Sequence, residues 1–150
     1  FTVWLFEPSC GVVDLSQNSV PALCIADTAV TVTTPEDIGL LPARFVFAKP
    51  PIANHVVYTA GDTLTYGELA DTVDAVLGRT VKREPWSVPA LQADLAQTPE
   101  DLLKKYRVVF AQGNGVAWDP AVTFNVQQQI EVTSVADWIN ANLKAPVTSD

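Results

Sequence analysis

Twice between Thr28 and Gly78 the sequence passes from a β-branched run into a helix start, and this alternation limits the fold more than any other feature. Residues 28–34 (TAVTVTT) alternate apolar and hydroxyl side chains, the period-two pattern of a strand. Thr34 then suits an N-cap, Pro35 the first helical position, and Glu36 and Asp37 the positive end of the helix dipole. The helical face Ile38, Leu41, Phe45 runs to about Phe47. Pro42 is expected to kink or shorten that helix, at about 3 kcal/mol if it stayed regular there. Residues 55–60 (HVVYTA) read as a second strand closed by a Gly61-Asp62 turn. Thr65 and Glu68 form a T-x-x-E capping box before Leu69, Val73, Val76 and Leu77, and Gly78 suits a left-handed C-cap.

Downstream, residues 81–87 (VKREPWS) read as extended, because Pro85 biases Glu84 away from helix. A short helix is expected from Pro89 to about Ala96, bounded by Ser87 or Val88. Another begins at Thr98-Pro99-Glu100-Asp101 and carries Leu102, Leu103, Tyr106, Val109 and Phe110 to Gly113. A last helix, Val135 to Leu143, is capped by Thr133 or Ser134 and turns Trp138 and Ile139 inward. The expected class is α/β, with a few mainly parallel strands and no linker dividing the chain. HVVYTA has the apolar character of a strand covered on both faces. So few strands look like the last members of a larger sheet.

Composition narrows the function classes. Of 150 residues, 48% are hydrophobic and 17% charged, too apolar for a disordered chain. The longest uncharged runs hold about 12 residues, short of the roughly 18 a membrane helix needs, so no membrane partner is expected. Acidic residues outnumber basic ones 17 to 9, for a net charge of −8, which argues against direct nucleic-acid binding. A mean hydropathy of +0.17 without a span suggests apolar surface hidden against a partner, another subunit or further chain. The sequence holds no methionine, so a longer parent chain is expected. Cys10 and Cys24 lack metal-site spacing and read as reduced thiols of a cytoplasmic protein.

Catalytic patterns are scarce. The lone His55 reads as structural or solvated, Ser9-Cys10-Gly11 lacks a nucleophile elbow, and Gly113-Asn114-Gly115 opens no phosphate loop. No G-x-G-x-x-G occurs. Glu68, Asp71 and Asp74 form an acidic stripe that reads as a solvated face. No catalytic or metal-ligating residue is assigned. If a small-molecule pocket exists, the aromatics Phe1, Trp4, Tyr106 and Phe110 are the candidates, since such pockets are largely apolar and aromatic.

Five segments carry a family resemblance: TVTTPEDIG (31–39), YTAGDTLTYGELAD (58–71), VLGRTVKREPWSV (76–88), KKYRVVFAQGNGVAWD (104–119) and EVTSVADW (131–138). In this order and spacing they resemble the carboxy-terminal half of NmrA-like, isoflavone-reductase-like proteins, most closely the fungal branch. These are atypical short-chain dehydrogenases with an NAD(P)-binding Rossmann domain and a smaller substrate domain. The resemblance implies that residues 1–150 are the substrate-binding portion, and that the phosphate loop and catalytic lysine lie in an amino-terminal half outside this sequence. NADP, or NAD, would be bound mainly there.

By the same resemblance, Phe1 and Trp4 match an aromatic segment bordering nicotinamide and substrate, so Phe1 is assigned to the cofactor and Trp4 to the substrate. Tyr106, Arg107 and Phe110 match a segment bordering the substrate pocket, and Asp37 matches a structural acid. Cys24 stands where glycine is commoner, and Pro42 interrupts a helix usually free of proline. The implied function is half of an NAD(P)H-dependent reductase of a small aromatic metabolite, partnered by its own amino-terminal half or a second subunit. The alternatives are a redox-sensing regulator without catalysis and a truncated, self-associating binding module.

Overall fold

The computed structural model describes residues 5–6, 12–113 and 116–143. Its strands are β1 (Ala22–Leu23), β2 (Ala29–Val32), β3 (Asp62–Thr65) and β4 (Pro85–Trp86). Its helices are α1 (Pro35–Val46), α2 (Tyr66–Leu77), α3 (Val88–Gln97), α4 (Leu102–Ala111), α5 (Phe124–Gln127) and α6 (Val135–Asn142), with a 3₁₀ turn at Pro120–Val122. The class is α/β, with few strands among many helices.

Local capping chemistry sets the helix starts. Thr34 Oγ accepts from the Asp37 amide at 3.2 Å, with Pro35 in the first turn of α1. At α2, Thr65 Oγ accepts from the Glu68 amide at 3.1 Å while Glu68 returns a bond to the Thr65 amide at 2.7 Å. Gly78 ends α2 at φ +66°, a left-handed conformation that costs glycine nothing. Ser87 caps α3 and Ser134 caps α6. The helix expected from Thr98 begins later: Asp101 caps α4 by accepting from the Lys104 amide at 3.1 Å, and 98–101 close a turn of their own. Pro42 does not break α1, which is helical on both sides of it.

The strands differ from expectation in two ways. First, β2 and β3 pair antiparallel, with Ala29 opposite Thr65 and Val32 opposite Asp62, whereas β1 and β4 pair parallel. After β2 the chain runs out through α1 and returns to the end it left, where the Gly61 amide donates to Val32 O at 2.8 Å; a strand entered there must run antiparallel. The parallel ladder extends beyond its two-residue strands, through Val20 N to Lys82 O at 2.8 Å and Cys24 N to Trp86 O at 2.9 Å.

Second, HVVYTA pairs with no strand: it begins in a bend at His55, and Val56 is 78% exposed. Its backbone bonds go elsewhere. Asn125 accepts from the Ala60 amide at 3.1 Å and donates to the Ala60 carbonyl at 2.8 Å. Trp118 Nε1 donates to Thr59 O, and the Phe124 amide donates to Tyr58 O.

The core gathers Val30, Val32 and Leu64 of the antiparallel pair with Tyr66, Leu69 and Val73 of α2 and Val135 and Ile139 of α6. Leu5, Val12, Val13, Val20 and Leu23 close it from the other side, and Phe6 stacks on Trp138 with ring centroids 4.7 Å apart. The buried Asp37 carboxylate joins α1 to this body. It accepts from Thr34 Oγ at 2.8 Å and from the Thr133 amide at 2.9 Å. Asp62 accepts from the Val135 amide at 3.0 Å, so two carboxylates hold the entry to α6. A Cβ at Gly61 would lie 2.9 Å from Thr133 O, which is why the chain can pass so close there.

Candidate substrate-binding face

α4 carries the three described residues assigned to substrate. Tyr106 and Phe110 lie one helical turn apart, so their rings share a face, with centroids 6.5 Å apart and planes inclined by 36°. Tyr106 is 44% exposed, whereas Phe110 is half-buried and packs on the core. Arg107 points to another side of the helix. Its guanidinium carbon stands 5.2 Å from the centre of the Trp86 ring, a cation–π contact worth about 0.5–1 kcal/mol at a solvated site. Phe1 and Trp4 lie outside the described residues.

Arg107 and Trp86 border an open cleft of about 290 Å³ between β4, α3 and α4, completed by Pro85, Ser87, Ala90, Leu91 and Asp94. Its rim is fixed by a bond from Lys104 Nζ to the Asp94 carboxylate at 2.8 Å, which clamps α4 to α3. The structure thus brings Tyr106 and Phe110 together and sets Arg107 apart from them, in the cleft with Trp86, which neither aromatic lines. Sequence reading did not single out Trp86 or Asp94 for this site. Their roles depend on α3 and α4 folding side by side, and no local pattern announces that.

The other sequence-level candidates resolve differently. His55 is solvent-exposed on a shallow groove. The acidic stripe is not simply solvated: Arg83 bonds Asp71 at 2.8 Å and Asp74 at 2.5 Å, and Asp74 also accepts from the Val81 amide at 2.7 Å. The Asp74 hydrogen bond chiefly raises the Arg83 guanidinium further above its ordinary value, and Asp71 adds to the effect. The Thr65 amide and hydroxyl hold the Glu68 carboxyl below its usual range. Cys24 is a free, half-buried thiol at φ +81°, in the left-handed region that favours glycine. No cluster of metal-ligating side chains occurs among the described residues, and no helix of theirs is long and apolar enough to cross a membrane.

An NmrA-like family domain-containing oxidoreductase of Gibberella moniliformis (strain M3125 / FGSC 7600) is 41% identical to this chain over 140 residues, 93% of its length. The chain is NmrA-like over nearly its whole length. It matches the carboxy-terminal part of that relative and spans 46% of it. No family model matches the chain.

Proposed function

We propose that this NmrA-like chain is the substrate-binding part of an NAD(P)H-dependent reductase of small aromatic metabolites. The observation that carries the reading is the exposed Tyr106 ring beside Phe110 on α4, in a chain 41% identical to an NmrA-like oxidoreductase. Flat aromatic side chains recognise flat ligands by offset stacking, at about 0.5–1.5 kcal/mol per ring pair.

The nicotinamide cofactor would supply the hydride and be held mainly by sequence amino-terminal to this part, with Phe1 at its edge and Trp4 beside the substrate. The chain's own residues bind and orient the acceptor and shield it from water. Cytoplasmic location belongs to the same proposal and rests on the free thiol of Cys24.

The test joins this chain to the amino-terminal part of the Gibberella relative and screens aromatic enones and aldehydes with NADPH. Tyr106→Ala, at an exposed position, is expected to raise KM about threefold to tenfold with little change in kcat, the loss of one stacking contact. An unchanged KM would remove α4 from the site. Cofactor binding with no turnover of any substrate would favour the redox-sensing alternative.

A further inference from the structure

The cleft beside Trp86 is separate from the aromatic face of α4, since neither Tyr106 nor Phe110 lines it. It is concave and about 290 Å³ in volume, at the low end of the range for small-molecule pockets. Leu91 is its most buried lining residue, at 7% exposure, and Pro85, Ala90 and the half-buried Trp86 ring supply the other apolar surfaces.

Two side chains bring charge to it, Asp94 and Arg107, and they are not equivalent. Asp94 accepts from Lys104 Nζ at 2.8 Å, so an ammonium already offsets its carboxylate. The guanidinium carbon of Arg107 stands 5.2 Å from the centre of the Trp86 ring, a contact that orients the cation without cancelling its charge. The cleft is therefore cationic in a chain whose net charge is −8. A guanidinium carries five N–H donors in a fixed fork, more than one partner takes up, and the fork fits a planar carboxylate with two parallel bonds.

We propose that the cleft between β4, α3 and α4 is a binding site for small aromatic carboxylates, distinct from the acceptor face of α4. The carboxylate lies at Arg107 and the ring on Pro85, Ala90 and Leu91, beside the indole of Trp86. A bare anion would leave the apolar surface wet, and a neutral ring would forgo the charge-assisted bonds. The site needs no cofactor and does not depend on the reductase reading.

The experiment is calorimetric titration of the 150-residue chain, at pH 7 and low salt, with cinnamate, its neutral amide and acetate. Cinnamate is expected to bind with a Kd on the order of 0.1–1 mM, and the other two at least about tenfold more weakly. Arg107→Gln should reduce the affinity for cinnamate to that for the amide. Ala90→Phe, at an exposed helix position, keeps the guanidinium and fills the cleft, so it should abolish binding with the melting temperature unchanged. Equal affinity for acid and amide, acetate binding as tight as cinnamate, or full cinnamate binding by Ala90→Phe would each overturn the proposal. So would cinnamate binding that Tyr106→Ala abolishes, which would place the acid on the acceptor face, or the lack of any saturable heat with cinnamate below about 10 mM.

Discussion

Asn125 is the side chain whose replacement tests the fold most sharply. It is 2% exposed and supplies both hydrogen bonds to Ala60, itself 3% exposed and 65 residues away in sequence. Asn125→Leu keeps the heavy-atom count and branching of the side chain and leaves a buried N–H and a buried C=O without partners. Each such group costs about 1–3 kcal/mol, and some of the total is recovered if residues 58–60 lift to admit water, so a loss of about 2–4 kcal/mol is expected. With a urea m-value of about 2 kcal/mol/M, the unfolding midpoint followed by tryptophan fluorescence falls by about 1–2 M. Asn125→Asp separates the two bonds. It retains the acceptor and sets a carboxylate against the Ala60 carbonyl, raising the folded-state pKa of the introduced acid. Its destabilisation is therefore largest at pH 7 and eases as pH falls through that raised pKa, where the protonated acid donates again. A midpoint shift below about 0.3 M for Asn125→Leu would refute the claim that this amide stands in for a strand partner.

Two further outcomes follow from local chemistry. The Glu68 carboxyl is held low by the Thr65 amide first and the Thr65 hydroxyl second, so it stabilises the fold above its unfolded pKa and that contribution is lost as pH falls through the lower folded value. Urea unfolding should therefore separate the native chain from Glu68→Gln at pH 7 and bring them together near pH 3; a gap unchanged with pH would contradict the charged capping box. Cys24→Gly relieves a left-handed backbone at φ +81° and is expected to stabilise by about 0.5–1 kcal/mol, raising Tm by about 1–4 °C. A lower Tm would show that the packing of the Cys24 side chain outweighs the strain.

What could be read in advance was what neighbouring residues decide among themselves. Thr34-Pro35, Thr65 with Glu68, Ser134 and Gly78 set element ends through bonds spanning three or four residues, and each stands where its chemistry places it. Asp101 shows how narrow that reading is: Thr98-Pro99-Glu100 carries the same signals, but the carboxylate that reaches the α4 amides belongs to Asp101. HVVYTA misleads because period and β-branching do not say where a backbone finds its partners, and here they come from Asn125 and Trp118, both distant in sequence. The ladder of Val20, Ala22 and Cys24 against residues 82–86 was invisible from its first side, where Pro21 interrupts the run. In the site, the i, i+4 spacing of Tyr106 and Phe110 announced a shared face, while the Arg107–Trp86 contact needed β4 and α4 to meet.

The claim at the centre of this account is a division of labour, with acceptor binding on this chain and the cofactor held chiefly elsewhere. Calorimetric titration of NADPH into the 150-residue chain, and into its fusion with the amino-terminal part of the Gibberella relative, tests that claim directly. The account predicts no saturable heat below about 1 mM for the chain alone and micromolar binding by the fusion. Micromolar binding by the isolated chain would contradict it.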